Sequence, residues 1–224
     1  MLTTEDLLEV ARTSPVCVGA HDKQRWISLF ALGYAIEDPV GSRPVRGKGI
    51  NDFWDCFIAP NDIRFEVHHE FVAPGPGGGV VVRDVTIRTT MQTGVSVTTP
   101  AHLHYTVDSD LKIQRMAAHW EPAPVFAQLL KPRAAQIRSL ATMSARMVRH
   151  LGLGGTTEFA MAVRSVGRRG KAAVLDHLGD SVQGVHKVIA AADTVSLSCT
   201  VDGKPAVVMA QVQRGVVSDV QTFA

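Results

Sequence analysis

The chain has little of several things that would declare a function outright. Of its 224 residues only three are cysteine, Cys17, Cys56 and Cys199. They are scattered, form no CxxC pair and, being odd in number, cannot close a disulfide framework, so reduced thiols and a cytoplasmic location are expected. Tyrosine is rarer still, with Tyr34 and Tyr105 alone. No apolar run approaches ~18 residues, so no transmembrane helix is expected. The opening Met1-Leu2-Thr3-Thr4-Glu5-Asp6 is polar and acidic, unlike a signal peptide. A formal net charge of +2 is too small to argue for nucleic acid or an anionic membrane as a partner.

Metal and phosphate signatures are missing too. His68-His69-Glu70, His102, His104 and His119 are the candidate ligands, but His68 and His69 point to opposite faces of a strand. Neither HExxH nor a Cys-His spacing occurs, and no metal is expected. The run Pro74-Gly75-Pro76-Gly77-Gly78-Gly79 lacks the following Lys-Ser/Thr of a phosphate loop and lies between strands, which makes it a hairpin loop. Arginines are frequent between Arg133 and Arg169, but no aromatic residue interleaves from 127 to 158, so a solvated helix face is expected rather than a nucleic-acid platform.

What is present is a core. Hydrophobic residues make up 46% of the chain and charged residues 20%, a globular composition long enough for one large domain or two small ones. Thr3 or Thr4 caps a first helix that should end or kink at Ser14-Pro15. Trp26, Leu29 and Phe30 share one face of a second. Tyr34 to Asp38 reads as a short strand, and Lys48 to Ile58 as a third helix with Ile50, Phe53, Trp54 and Phe57 at helical spacing. From Arg64 the period changes to that of strands, with further strands at Val80 to Met91, Val95 to Val107 and Lys112 to Trp120. This order predicts an α+β fold: a cone-shaped, curved mixed β-sheet wrapped around helices, over residues 1–124.

Beyond Pro122 and Pro124 the pattern recurs. Val125 to Leu151 is a long helical segment, broken at Gly152-Leu153-Gly154-Gly155, with another helix from about Thr157. A Gly-led helix, Lys171 to Leu178, precedes strands near 185–192, 194–201, 205–213 and 215–223. Residues 125–224 therefore read as a degenerate second cone, structural in role, which would make the chain an intrachain pseudo-dimer. A single domain with a helical insertion is the other reading. The state in solution would be a monomeric pseudo-dimer or a homodimer.

The chemistry centres on Glu37-Asp38-Pro39-Val40-Gly41-Ser42. Asp38 follows the hydrophobic Ala35 and Ile36 and precedes a rigid proline, a setting at the mouth of an apolar cavity where a carboxylate's pKa rises toward neutrality. An Asp before Pro at a strand end is also a common turn former. Phe30 to Phe53, with its LFA stretch and EDPVGS motif, closely resembles the ketosteroid isomerases of the nuclear-transport-factor-2-like (SnoaL-like) superfamily, and the resemblance extends over about residues 20–121. It implies that Asp38 shuttles a proton between carbons next to a carbonyl, without any cofactor.

The resemblance is incomplete. The two usual oxyanion donors fall at Ser14 or Val16 and at His102, and a supporting tyrosine falls at Trp54. His102 is a candidate replacement donor, or else a hydrogen-bonded wall residue with no chemistry. Tyr34 and His104 are candidates for the same side, a bulge being enough to undo the first. Val85, Ile87, Met116, Ala118 and Trp120 are the expected cavity wall, with Trp54 and His104 nearby; the last three of those wall residues alternate onto one strand face. The expected function is an isomerase-like acid–base enzyme for an apolar small molecule such as a steroid. The alternatives are a binding protein that kept the cavity and lost turnover, and an assembly module whose sheet surface is the function.

Overall fold

A computed structural model gives the fold and describes residues 2–130, 134–161 and 164–224. Helix α1 (Thr4–Gly19) starts from a capping box. Thr3 Oγ1 accepts from the Asp6 N–H at 3.1 Å, and Asp6 accepts from the Thr3 N–H at 2.8 Å. The helix runs through Pro15, where the sequence predicts a stop or kink. Pro15 has no N–H to offer the carbonyl four residues earlier. That carbonyl, on Ala11, instead accepts from Nη1 of the buried Arg83 at 3.2 Å.

Helix α2 (Lys23–Ser28), strand β1 (Phe30–Glu37) and helix α3 (Gly49–Phe53) follow. The third helix continues as a π-helical turn, Trp54–Ile58, closed by the Ala59 N–H on the Trp54 carbonyl at 2.9 Å. Four long strands come next: β2 (Asn61–Gly75), β3 (Gly78–Met91), β4 (Ser96–Asp108) and β5 (Ile113–His119). They assemble in the order β1-β5-β4-β3-β2, with β1 parallel to β5 and the other pairs antiparallel, so the sheet is mixed, as expected. The helices fill its inner face, where Trp26 packs on Phe53 and Trp54 at ring separations of 6.1 and 5.4 Å. A bulge between Val67 and His69 switches the faces of β2. Phe65 therefore points inward, while Phe71, of the same parity, packs with Val82 on the outer side.

The predicted long helix from Val125 is two helices, α4 (Pro122–Leu129) and α5 (Ala134–Met161), the latter interrupted at Gly152, whose φ is 70°. Val125 and Leu129 of α4 pack on Val95 and Val97, with Leu140 and Met143 of α5 beside them, so both helices cover the first sheet. Helix α6 (Gly167–Leu178) then precedes an antiparallel meander of β6 (Gln183–Ala191), β7 (Thr194–Val201), β8 (Lys204–Gln213) and β9 (Val216–Phe223). A helix followed by four strands repeats the order of α3 and β2 to β5. No counterpart of β1 joins the second sheet among the described residues.

The two faces of β7 do different jobs. Val195, Leu197 and Cys199 pack toward Val174 of α6. Thr194, Ser196 and Ser198 alternate with them and are buried on the other side, against the outer face of the first sheet. There His102 lies between the hydroxyls of Ser196 (2.7 Å) and Ser198 (2.8 Å). Ser198 also donates to Asp84 at 2.7 Å, and Lys187 pairs with the same carboxylate and donates to the Val85 carbonyl at 3.0 Å. Burial pushes Asp84 up, but the hydrogen bonds from Lys187 and Ser198 outweigh it and hold the carboxyl below its usual range. Apolar contacts of Phe71 and Val82 with Val207, Met209 and Phe223 complete the interface.

Candidate active site

The inner face of the first sheet does not close completely on the helices. A cavity of about 190 Å³ remains, lined by Ser14, Val18 and Trp26 from the first two helices, by Phe53, Phe57 and Ile58, and by inward residues of the strands. On β4 these are Val97, Thr99, Leu103 and Tyr105; on β5 and just beyond it, Met116, Ala118 and Trp120. Val125, Phe126, Leu129 and Met143 of α4 and α5 form the opposite end. The lining is almost wholly apolar, as small-molecule sites are.

Asp38 stands in this wall, one residue past β1. Its Oδ1 accepts a hydrogen bond from Nε1 of Trp120 at 2.6 Å. Burial raises the carboxyl, the Trp120 bond lowers it, and the result is a pKa of about 6. That is the range of a general base working near neutral pH. The loop after Asp38 is held from both sides. The Val40 N–H donates to the Ala118 carbonyl at 2.9 Å, and Val40 packs with Ala117 and Ala191. Gly41 has a φ of 93°, and a Cβ there would come 2.6 Å from the Cβ of Ala192. The second half of the chain thus presses directly on the loop that carries Asp38.

Of the candidate residues, Asp38, Ile87, Met116, Ala118 and Trp120 come together around the cavity. Val85 is fully buried in the inner core without lining the cavity. Trp54 is also a core residue, its ring tilted against Trp26. Tyr34 does not reach the cavity; its hydroxyl donates to the Gly47 carbonyl at 2.6 Å, and β1 has an irregular register between Phe30 and Ala35 that breaks the simple alternation.

The placement of His102 and His104 corrects the sequence reading. Both lie on the outer face of β4, against the second sheet, because inward positions on this strand are the odd-numbered ones. Neither touches the cavity. Desolvation lowers His102 to about 3 against the opposing pull of Asp84, and desolvation with the nearby Arg115 lowers His104 to about 4, so both are neutral interface residues. His104 sits with His119, Arg115 and Asp219 around a separate polar gap of about 110 Å³ between the sheets. Among the described residues no group of three His, Cys, Asp or Glu side chains is placed to hold a metal.

Tyr105 is the residue that sequence reasoning passed over. It is 1% exposed, at the end of the cavity nearest α1. Burial holds its hydroxyl above the usual phenol range, Arg83 and Ser14 beside it offset only part of that rise, and the phenol stays protonated at neutral pH. Alternation alone could have found it, since Thr99, Ala101, Leu103 and Tyr105 form the phase of β4 that suits an apolar interior.

Residues 11–116 match the SnoaL-like domain family. Among solved structures, a Mycobacterium sp. Δ5-3-ketosteroid isomerase is 26% identical, over 52% of this chain and 93% of its own, with a TM-score of 0.48. A Mycobacterium tuberculosis protein solved with estradiol-17β-hemisuccinate is 24% identical over 53% and 95% of the two chains, TM-score 0.49. An M. tuberculosis epoxide hydrolase of the LEH-like kind is 15% identical over 62% and 97%, TM-score 0.48. No curated protein matches the chain. The mixed sheet, the inner helices and the family match agree: residues 11–116 are a SnoaL-like domain.

Proposed function

We propose that this protein is a cofactor-independent acid–base enzyme in which Asp38 moves a proton next to the carbonyl of an apolar molecule, a ketosteroid-like isomerisation. The observation that carries the reading is the one carboxylate among the described lining residues, with its pKa raised to about 6, set in a largely apolar cavity. A pure binder of apolar ligands gains little from such a group, because burying a carboxylate costs free energy.

The step balances without any added reagent. The Asp38 carboxylate takes a proton from the carbon beside the carbonyl. The C–H electron pair becomes a C=C bond, and the carbonyl π pair moves to oxygen as an enolate. Asp38, now protonated, returns the proton to the carbon two positions further along, which shifts the double bond into conjugation and restores the base. Trp120 holds the carboxylate in place at 2.6 Å.

In the same reading, residues 125–224 are a degenerate second cone that serves as a built-in partner and covers the outer sheet face. Support comes from the repeated order of one helix and four strands and from the buried contacts between the sheets. The enzymatic reading is tested by turnover of a β,γ-unsaturated 3-ketosteroid, followed through the absorbance of the conjugated enone, with Asp38→Asn alongside. Turnover lost in the variant supports the base. A steroid that binds and quenches tryptophan fluorescence, yet is never turned over, would leave a binding protein in its place.

A further inference from the structure

The enolate formed by proton abstraction needs a hydrogen-bond donor at its oxygen, and the withdrawal of His102 to the outer face leaves that role unfilled. The inner end of the cavity holds a cluster of polar groups around Tyr105. Trp26 Nε1 donates to Ser14 Oγ at 3.0 Å. Ser14 and the Arg83 guanidinium lie beside the Tyr105 hydroxyl, and both favour charge on its oxygen. Ser14 and Arg83 are each 3% exposed, so they act on Tyr105 away from water. Tyr105 lines the cavity, where its phenol O–H can donate one hydrogen bond to a ligand.

Arg83 is fixed by features traceable to the sequence. Its Nε donates to Glu70 at 2.8 Å, and its Nη1 donates to the Ala11 carbonyl, the acceptor that Pro15 leaves without a helical partner. Pro15 therefore does not stop α1; it opens a seat for the cation that sits behind Tyr105.

Strand register sets the offset between donor and base along the sheet. Tyr105 pairs with Met116, and Leu103 with Ala118. Glu37 pairs with Ala117, and the loop after Asp38 bonds to Ala118. Asp38 thus lies one inward step from Tyr105 toward the far end, about 7 Å along the strand. Beyond it the wall is Val97, Leu129 and Met143, some eight residues or about 26 Å of strand from Tyr105.

We propose that Tyr105, backed by Ser14 and Arg83, donates the hydrogen bond to the substrate's carbonyl oxygen, so that the enzyme takes an elongated apolar ketone carbonyl-first, its far end against Val97, Leu129 and Met143. This rests on the reading of Asp38 as the base. The donor acts on the same oxygen whose charge grows in the transition state, where one such bond contributes about 10²–10³ in kcat.

The test separates the two claims. Bind a saturated 3-ketosteroid, which cannot isomerise, labelled with ¹³C at its carbonyl, and read the carbonyl stretch by isotope-edited infrared spectroscopy in wild type, Tyr105→Phe and Ser14→Ala. Measure kcat on the unsaturated ketone in parallel. The expected result is a stretch lowered in the wild type, returned in Tyr105→Phe to its position in an apolar solvent, and intermediate in Ser14→Ala, with kcat down about 10²–10³-fold in Tyr105→Phe and the pH midpoint unchanged. The same stretch in wild type and Tyr105→Phe, with the ketone bound to both, overturns the donor while leaving Asp38 as the base. A Tyr105-dependent stretch without turnover keeps the donor and removes the base. A ketone that does not bind overturns both.

Discussion

The indole N–H of Trp120 donates to Oδ1 of Asp38 at 2.6 Å, joining the wall of the cavity to the one carboxylate among its described lining residues. Burial raises the Asp38 pKa and this bond restrains the rise, leaving about 6. Trp120→Phe keeps an apolar wall and removes the restraint. A hydrogen bond to a charged group contributes about 1.5–3 kcal/mol, so the midpoint of the pH–rate profile moves up by roughly one unit or more. Activity at pH 7 then falls at least about twofold. A midpoint left at the wild-type value would mean that the bond is not made in solution.

Asp38 also costs stability, with a definite sign. Its pKa in the folded state lies above that of the unfolded chain, so the fold holds the proton more tightly. The stabilisation that this brings is present at low pH and is lost as pH rises through about 6. Asp38→Asn carries no such dependence. It melts above the wild type at pH 8, and the difference closes by about pH 4. Equal melting temperatures at pH 8 would show that Asp38 is well solvated.

Gly41 meets Ala192 where the two halves of the chain touch behind the Asp38 loop. Gly41→Ala places a side chain at a φ of 93° and 2.6 Å from the Ala192 Cβ. The backbone strain alone costs about 1–2 kcal/mol, or roughly 2–8 °C in Tm for a chain of this size. Because the loop must shift, kcat falls as well. Adding Ala192→Gly removes the clash and recovers part of the activity. Activity in the Gly41→Ala single variant equal to wild type would show that the second half does not set the position of Asp38.

Lys187 and Asp84 test the contact between the sheets. Lys187→Met strands Asp84, which is 0% exposed, without its cation and costs about 3–5 kcal/mol. Replacing both residues, Lys187→Met with Asp84→Leu, recovers most of that loss, since an apolar pair in a buried site is often neutral. Chemical denaturation reads both values. A single variant within about 0.5 kcal/mol of wild type, the usual effect of a surface substitution, would place this pair in water.

Much of this was legible in the residues. The strands from Val80 onward announced themselves by period, and the EDPVGS motif located Asp38. Pro15 misled because local propensity has no view of Arg83, which arrives from 68 positions later in the chain to satisfy the Ala11 carbonyl. His102 misled differently: a resemblance placed it in the cavity, while the alternation of Leu103 and Tyr105 placed it outside. Residues such as Ser196 and Ser198 gave no sign of their role, because a polar strand face looks solvent-exposed until a second polar face is found to cover it. The bulge in β2 was equally silent, and with it the outward turn of Phe71.

In the proposed reaction Asp38 removes a proton next to a carbonyl inside the cavity. The most direct measurement is exchange of the protons beside the carbonyl of a bound 3-ketosteroid in D₂O, followed by ¹H NMR, for wild type and Asp38→Asn. Those signals are expected to be lost with the wild type, and at a rate at least about 10²-fold lower with the variant. Exchange at equal rates in both, or none above the buffer rate while the ketone is bound, would contradict it.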